Sequence, residues 1–210
     1  NYSIALAKRG YDILGLDISE DMIQYGSERL ASNEPGLAKK IELRTGDIRN
    51  FGLHQKFKNI VSLFHVISYL SADRDLLYAF QSVARHLQPG GLFVFDFWYG
   101  PGVENLKPEK RTKKVSDSEL IINRTAEPVF RKSKHIVDVN YRIDVHEIST
   151  NSRHNIEESH RMRYFFDDEL WIFLKQAGLQ IEGLYSWLGE EEPDDQSWSA
   201  CCVASKLHLK

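Results

Sequence analysis

The sequence predicts an α/β fold, a mostly parallel sheet carrying an antiparallel β insertion, and three observations carry that expectation. Over the first hundred residues short apolar runs alternate with amphipathic helices, the pattern of βαβ units. Between residues 118 and 165 the period drops to two. There Val137, Val139, Tyr141, Ile143 and Val145 alternate with polar neighbours, as a sheet with one packed and one wet face requires. The helix-and-strand pattern then resumes, so the insertion interrupts a core instead of following it.

The elements follow in order. Tyr2–Lys8 has a helical pattern closed by Gly10, a suitable residue after a helix C-terminus. The chain thus opens inside a helix, without an initiator methionine, and reads as a fragment. A strand over 12–17 ends at Asp17. Ser19 is the expected N-cap of a helix with Glu20 and Asp21 in its first turn, burying Met22, Ile23 and Leu30. Strands over 41–44 and 59–64 follow, the second apolar on both faces like a central parallel strand. Leu76, Leu77, Phe80, Val83, Ala84 and Leu87 keep helical spacing over 73–87. Pro89-Gly90-Gly91 ends that helix and hands over to a strand over 92–97. Residues 100–116, rich in Pro, Gly and Lys, read as a loop. After the antiparallel segment, with its turn at Thr150-Asn151-Ser152, Asp167 is the expected cap of a helix closed by Gly178. Two last strands, about 180–187 and 198–206, are joined by the acidic stretch Glu190–Asp195. The expected organisation is a core of residues 1–99 and 166–210, with a loop and antiparallel lid over 100–165.

Composition narrows the function classes. At 210 residues, 42% apolar and 27% charged, the chain is sized for one core and is neither disordered nor fibrous in composition. A net charge of −3 offers no basic excess for nucleic acid or anionic membrane, so a small-molecule partner is expected. No apolar run approaches the roughly 20 residues that span a bilayer. Cys201 and Cys202 are adjacent, where a disulfide would be strained, and read as reduced thiols of a cytoplasmic protein on an edge strand. The eight histidines show no metal-ligand spacing.

In open parallel sheets ligands bind at the carboxyl ends of the strands. Asp17 stands at one such end, where a carboxylate can accept both hydroxyls of a ribose. Gly46-Asp47-Ile48 follows the next strand, and Phe64-His65-Val66-Ile67-Ser68-Tyr69 follows the central one.

Together with Leu87-Gln88-Pro89-Gly90-Gly91-Leu92, these motifs, in this order and at these spacings, resemble the class I S-adenosylmethionine-dependent methyltransferases. The resemblance implies a Rossmann-like, seven-stranded, mostly parallel sheet with an antiparallel final strand, and S-adenosylmethionine as cofactor. It implies that Asp17 holds the ribose, Ile18 and Met22 line the adenine, Asp47 takes the adenine amine and Ile48 supplies a backbone contact beside Gly46. Phe64 would offer its carbonyl to the methionine amine, with His65 beside it. The family's glycine-rich loop would end just before Asn1, leaving Asn1 and Tyr2 to flank it. Within the family, Phe64–Leu70, Phe97-Trp98-Tyr99 and Glu158-Ser159-His160-Arg161 look closest to small-molecule methyltransferases, including N-methyltransferases of nucleotide-linked amino sugars. Tyr69 occupies the place where those enzymes carry a histidine assigned as the base.

The expected reaction is therefore methyl transfer to a nitrogen or oxygen of a small molecule, with a nucleotide-linked sugar as the candidate acceptor. The candidate bases are His160 first and His65 second, because a histidine near its reference pKa of about 6.5 takes a proton at neutral pH. Tyr69, with Trp98, Tyr99, His160 and Arg161, would line the acceptor side. Neither nucleic acid nor membrane is an expected partner, and a homodimer is the oligomer considered. The rival readings are a nicotinamide-dependent oxidoreductase, a non-catalytic cofactor-binding module and a nucleic-acid methyltransferase.

Overall fold

The structure is a computed structural model that describes residues 2–207. The chain divides into two compact units, residues 1–55 and 56–210.

The first unit is a parallel two-stranded sheet with its helices. Helix α1 (Tyr2–Lys8) ends at Gly10, whose φ of +101° is the left-handed geometry that a side chain resists. Strands β1 (Ile13–Asp17) and β2 (Ile41–Thr45) pair in parallel with Asp17 opposite Thr45. Between them α2 (Glu20–Asn33) starts at Ser19, whose hydroxyl accepts the Met22 N–H, as the sequence predicts. Ala7, Leu30 and Ile41 form the buried centre, with Ile4, Ile13, Leu37 and Leu43 packed around it. Met22 is not part of that core: it is 57% exposed, on a different face of α2 from the part-buried Ile23 and Gly26 and the buried Leu30.

The second unit is built on β4 (Leu87–Tyr99), which pairs in parallel with β3 (Phe57–Ser62) and antiparallel with β10 (Ser199–Lys206). Strand β9 (Leu179–Ser186) lies beyond β10. Cys201 and Cys202 are therefore on an inner strand, not an edge one, because β10 enters between β4 and β9. Helix α3 (Asp73–His86) buries Leu76, Ala79, Phe80, Val83 and Ala84. Phe80 meets Phe93 and Phe95 at 6.1 and 5.5 Å, and Phe93, Phe95, Phe97 and Tyr99 form one continuous face of β4. Val94, Asp96 and Trp98 point the other way, since a strand alternates its side chains.

Four expectations need correction. Strand β3 is not apolar and buried on both faces; among the described residues of its unit it pairs only with β4, and Val61 stays 47% exposed. Strand β4 begins at Leu87, because its pairing with β3 steps from Phe57–Leu87 to Asn59–Leu92 and lets Pro89-Gly90-Gly91 bulge out. Residues 100–116 are not a loop. They form α4 (Gly100–Leu106), whose Pro101 suits a first helical turn, and β5 (Arg111–Ser116). A Cβ on Gly102 would lie 1.9 Å from the Ser197 carbonyl oxygen, so the composition that looks like a loop serves close packing. Finally, the cap of α5 (Asp167–Gln176) is Phe166, and Asp167 is the first helical residue.

The antiparallel segment forms as expected. Strand β6 (Leu120–Arg131) pairs with β5 and β7 (Ile136–Glu147), and β7 with β8 (Ser152–Phe165). Strand β8 then joins the core sheet: Trp98 pairs with Tyr164 and Tyr99 with Phe165, in parallel. Val103, Val137, Val139, Met162 and Tyr164 form a buried cluster where the two sheets meet. No helix among the described residues is long and apolar enough to cross a membrane.

Candidate active site

In the first unit the sequence-predicted residues gather where β1 and β2 end. The Gly46 N–H donates to the Asp17 carbonyl at 2.8 Å, which ties the two strand ends together. The Asp17 carboxylate accepts the Ser19 N–H at 2.9 Å through one oxygen. Ile18, next in the chain, is 67% exposed and Met22 is exposed as well, two apolar side chains left in water beside an acid. Asp47 behaves differently. Its carboxylate accepts the Arg49 N–H at 2.9 Å and is gripped by the Arg49 guanidinium, which holds its carboxyl below the usual range. The oxygens expected to meet an amine are thus already used within the loop. Ile48 is half-buried, and Tyr2 opens α1. Asn1 lies outside the described residues.

In the second unit the turn after β3 carries the candidate chemistry. Phe64 and His65 both adopt left-handed backbone, with φ of 67° and 60°, a geometry that non-glycine residues enter at a cost of about 1–3 kcal/mol and that clusters at functional turns. A single 3₁₀ turn, Val66–Tyr69, follows, with Ile67 and Ser68 fully buried as its anchor. The anchor leaves Tyr69 about half exposed.

Two constellations hang on this turn. The Tyr69 hydroxyl lies 2.7 Å from His160 Nδ1, and His160 Nε2 lies 3.1 Å from a Glu158 carboxylate oxygen. The Tyr141 ring stands edge-on to His160 at 5.1 Å. Burial pushes the Tyr69 phenol above its ordinary range, and Tyr141 and Glu158 add to that, so the hydroxyl keeps its proton at neutral pH. In the second constellation, the His65 N–H donates to Asp96 Oδ1 at 2.9 Å while His65 Nδ1 sits 3.0 Å from Oδ2. Trp98 and Trp187 flank the His65 ring at 6.4 and 6.3 Å.

The structure brings together His65, Tyr69, Trp98 and His160 with these partners, and leaves two expected residues out. Tyr99 is on the opposite face of β4 from Trp98, buried, with its hydroxyl 3.5 Å from Asp167. Arg161 is on the opposite face of β8 from His160, its Nε 2.8 Å from Asp138, which Arg131 also grips. Alternation along a strand decides both cases. Sequence reasoning missed Asp96, Glu158 and Trp187. A signal existed for two of them: Asp96 is a lone acid in an aromatic strand, and Glu158 stands two residues from His160, on its face.

Comparison with known proteins fixes the family. Residues 1–91 match the model of a methyltransferase domain. The chain is 30% identical over 181 residues to the dTDP-3-amino-3,4,6-trideoxy-alpha-D-glucopyranose N,N-dimethyltransferase of Streptomyces venezuelae, covering 82% of this chain and 68% of that protein. The chain belongs to the S-adenosylmethionine-dependent methyltransferases. Its cofactor is S-adenosylmethionine. The fold agrees: the CcbJ methyltransferase of Streptomyces caelestis superposes with a TM-score of 0.78 at 17% identity, covering 98% of this chain and 78% of that one. CalS10, an amino pentose methyltransferase from Micromonospora echinaspora seen with S-adenosylmethionine bound, gives 0.71 at 19% identity over 97% and 77%. As a methyltransferase, this protein is neither the nicotinamide-dependent oxidoreductase nor the non-catalytic module considered as rivals.

Proposed function

We propose that this methyltransferase methylates the amino group of a nucleotide-linked amino sugar. The observation that carries the reading is the Tyr69–His160 hydrogen bond of 2.7 Å. Where amino-sugar enzymes place a histidine assigned as base, this chain has Tyr69, and a histidine from β8 stands directly behind it. The relative from Streptomyces venezuelae is named for two N-methylations of a dTDP-linked amino sugar, which supports the acceptor class.

The cofactor supplies an electrophilic methyl group on a sulfonium. In the first unit, Asp17 keeps acceptor capacity for two ribose hydroxyls, and exposed Ile18 and Met22 offer an apolar wall to a purine. Gly46 and Ile48 border that wall. Asp47 acts on the loop through Arg49. In the second unit, the Phe64 turn carries the candidate groups for the methionine end.

The chain's part in the chemistry is alignment and one proton transfer. When bound, the cofactor would supply its methyl group to the amine nitrogen and would keep the electron pair of the carbon–sulfur bond. The nitrogen gains positive charge and sheds a proton. The Tyr69 oxygen receives that proton while its own passes to His160 Nδ1, and the Glu158 carboxylate steadies the resulting imidazolium from Nε2. Burial disfavours a free tyrosinate at Tyr69, so the proton is passed on to His160. Residues 100–165, the lid, bring His160 and Glu158 to the acceptor.

The test is turnover of a dTDP-linked amino sugar, followed by mass spectrometry for one and two added methyl groups. His160→Ala lowers kcat by about 10²–10⁴-fold with cofactor affinity unchanged. Methylation of a hydroxyl with the amine untouched overturns the acceptor class, and a loss below about fivefold in both His160→Ala and Tyr69→Phe overturns the relay.

A further inference from the structure

Asp96 is a buried carboxyl group without a lysine or arginine partner among the described residues. It is fully buried in β4, and its two oxygens address a single residue: Oδ1 takes the His65 N–H at 2.9 Å, and Oδ2 faces His65 Nδ1 at 3.0 Å. Both Nδ1 and Oδ2 are shut off from solvent, and neither has another partner among the described residues. Two lone pairs pressed together at 3.0 Å in a dry site would repel, so a hydrogen belongs between them, and Nδ1–H in a bent approach to Oδ2 is the arrangement that leaves the ring neutral and Asp96 a carboxylate. Such a ring is the Nδ1–H tautomer. Because Nδ1 is covered while the His65 side chain keeps 28% of its exposure, the open edge of the ring is the one that carries Nε2.

The surroundings define what this edge recognises. Trp98 and Trp187 stand beside the His65 ring in T-shaped contacts, and indole rings suit a nearby cation. The other titratable group packed against Asp96 is Cys201 on β10, whose thiol is pushed up by burial and then by Asp96, so it stays neutral. The corner thus holds a ring nitrogen backed by the buried Asp96 carboxyl, with two indoles beside the ring.

We infer that Asp96 is a positioning residue that holds His65 as the Nδ1–H tautomer, so that Nε2 accepts an N–H from an ammonium group. This rests on the methyltransferase reading of the site for its two sources of ammonium: the amino-acid end of the cofactor, and the protonated amine of the acceptor before it enters the reaction.

The first measurement needs neither source. In ¹⁵N spectra of the ligand-free full chain, with the His65 signal assigned through His65→Gln, the wild type shows the Nδ1–H tautomer. Asp96→Asn turns an amide NH₂ toward Nδ1, keeps an oxygen for the backbone N–H, and moves the ring to the Nε2–H tautomer. A wild-type Nε2–H tautomer overturns the inference whatever the enzyme methylates. The second measurement is calorimetry with S-adenosylhomocysteine and with 5′-methylthioadenosine, which lacks the amino-acid end. If the cofactor's ammonium is the donor, Asp96→Asn and His65→Gln each weaken S-adenosylhomocysteine about tenfold and leave 5′-methylthioadenosine unchanged. If the acceptor's amine is the donor, both nucleosides bind as before and the acceptor KM rises about tenfold. Unchanged affinity for all three in both variants overturns the inference. Should Asp96→Asn fail to fold, His65→Gln carries the binding arms alone.

Discussion

The Trp98 backbone N–H donates to the Ser68 hydroxyl at 2.9 Å, tying the end of β4 to the turn that presents Tyr69. Both ends of this bond are buried or nearly so, and it links residues 30 positions apart. It is the strut that sets how far Tyr69 reaches toward β8.

Replacing Ser68 with alanine leaves the Trp98 N–H without its acceptor. The expected cost is about 1–3 kcal/mol in urea unfolding. Because the turn also carries Tyr69, kcat falls while cofactor affinity in calorimetry holds. A variant as stable as the wild type would mean that the strut is slack.

Asp17→Ala removes the carboxylate at the end of β1. Cofactor binding weakens by about 1.5–3 kcal/mol, the range for hydrogen bonds to a charged group. Calorimetry on protein that includes any segment upstream of Asn1 is the measurement, and unchanged affinity takes Asp17 out of the ribose site.

Arg161→Ala tests strand alternation. Since Arg161 points to Asp138 and away from His160, the acceptor KM and kcat should stay within roughly twofold, the scale of a surface change. A large rise in acceptor KM would return Arg161 to the substrate.

Asp138 supplies a pH dependence. Arg161 and Arg131 hold its carboxyl below the ordinary range. A carboxyl depressed in the folded state stabilises above its unfolded value of about 3.9, and that contribution is lost as pH falls through the lower folded value. Asp138→Asn should therefore lower stability at pH 7, and its deficit against wild type should shrink as pH drops below about 4. A deficit independent of pH from 3 to 7 would assign the loss to packing.

The fold was legible wherever local chemistry decides structure. Gly10, Ser19 and Gly178 mark helix ends because a left-handed turn or a cap is a property of a few neighbouring residues. The alternation from Val137 to Val145 announced its sheet for the same reason. Legibility stopped where distance in sequence is large. The resemblance put Tyr69 and His160 on one side of the acceptor, but nothing near Tyr69 reveals its direct hydrogen bond to a histidine 91 residues later, and Gly100-Pro101-Gly102 looks like a loop until Ser197 is packed against it. The face on which Tyr99 or Arg161 points follows from the register of the strands, which only pairing fixes. Asp96 was open to notice, since a solitary acid in Phe93–Phe97 has to be answered by something.

The junction of β8 with β4 governs how the antiparallel segment can move. A flap joined by loops swings as a whole. Here the last strand of the flap is anchored like a cantilever, its root fastened by the pairs Trp98–Tyr164 and Tyr99–Phe165. Bending of such a beam grows with distance from the root. His160 stands four residues from Tyr164, whereas Ser152, at the far end of the strand, lies about 26 Å beyond His160 at about 3.3 Å per residue. Any bending would therefore move the tip far more than His160, and the Tyr69–His160 pair would stay in register.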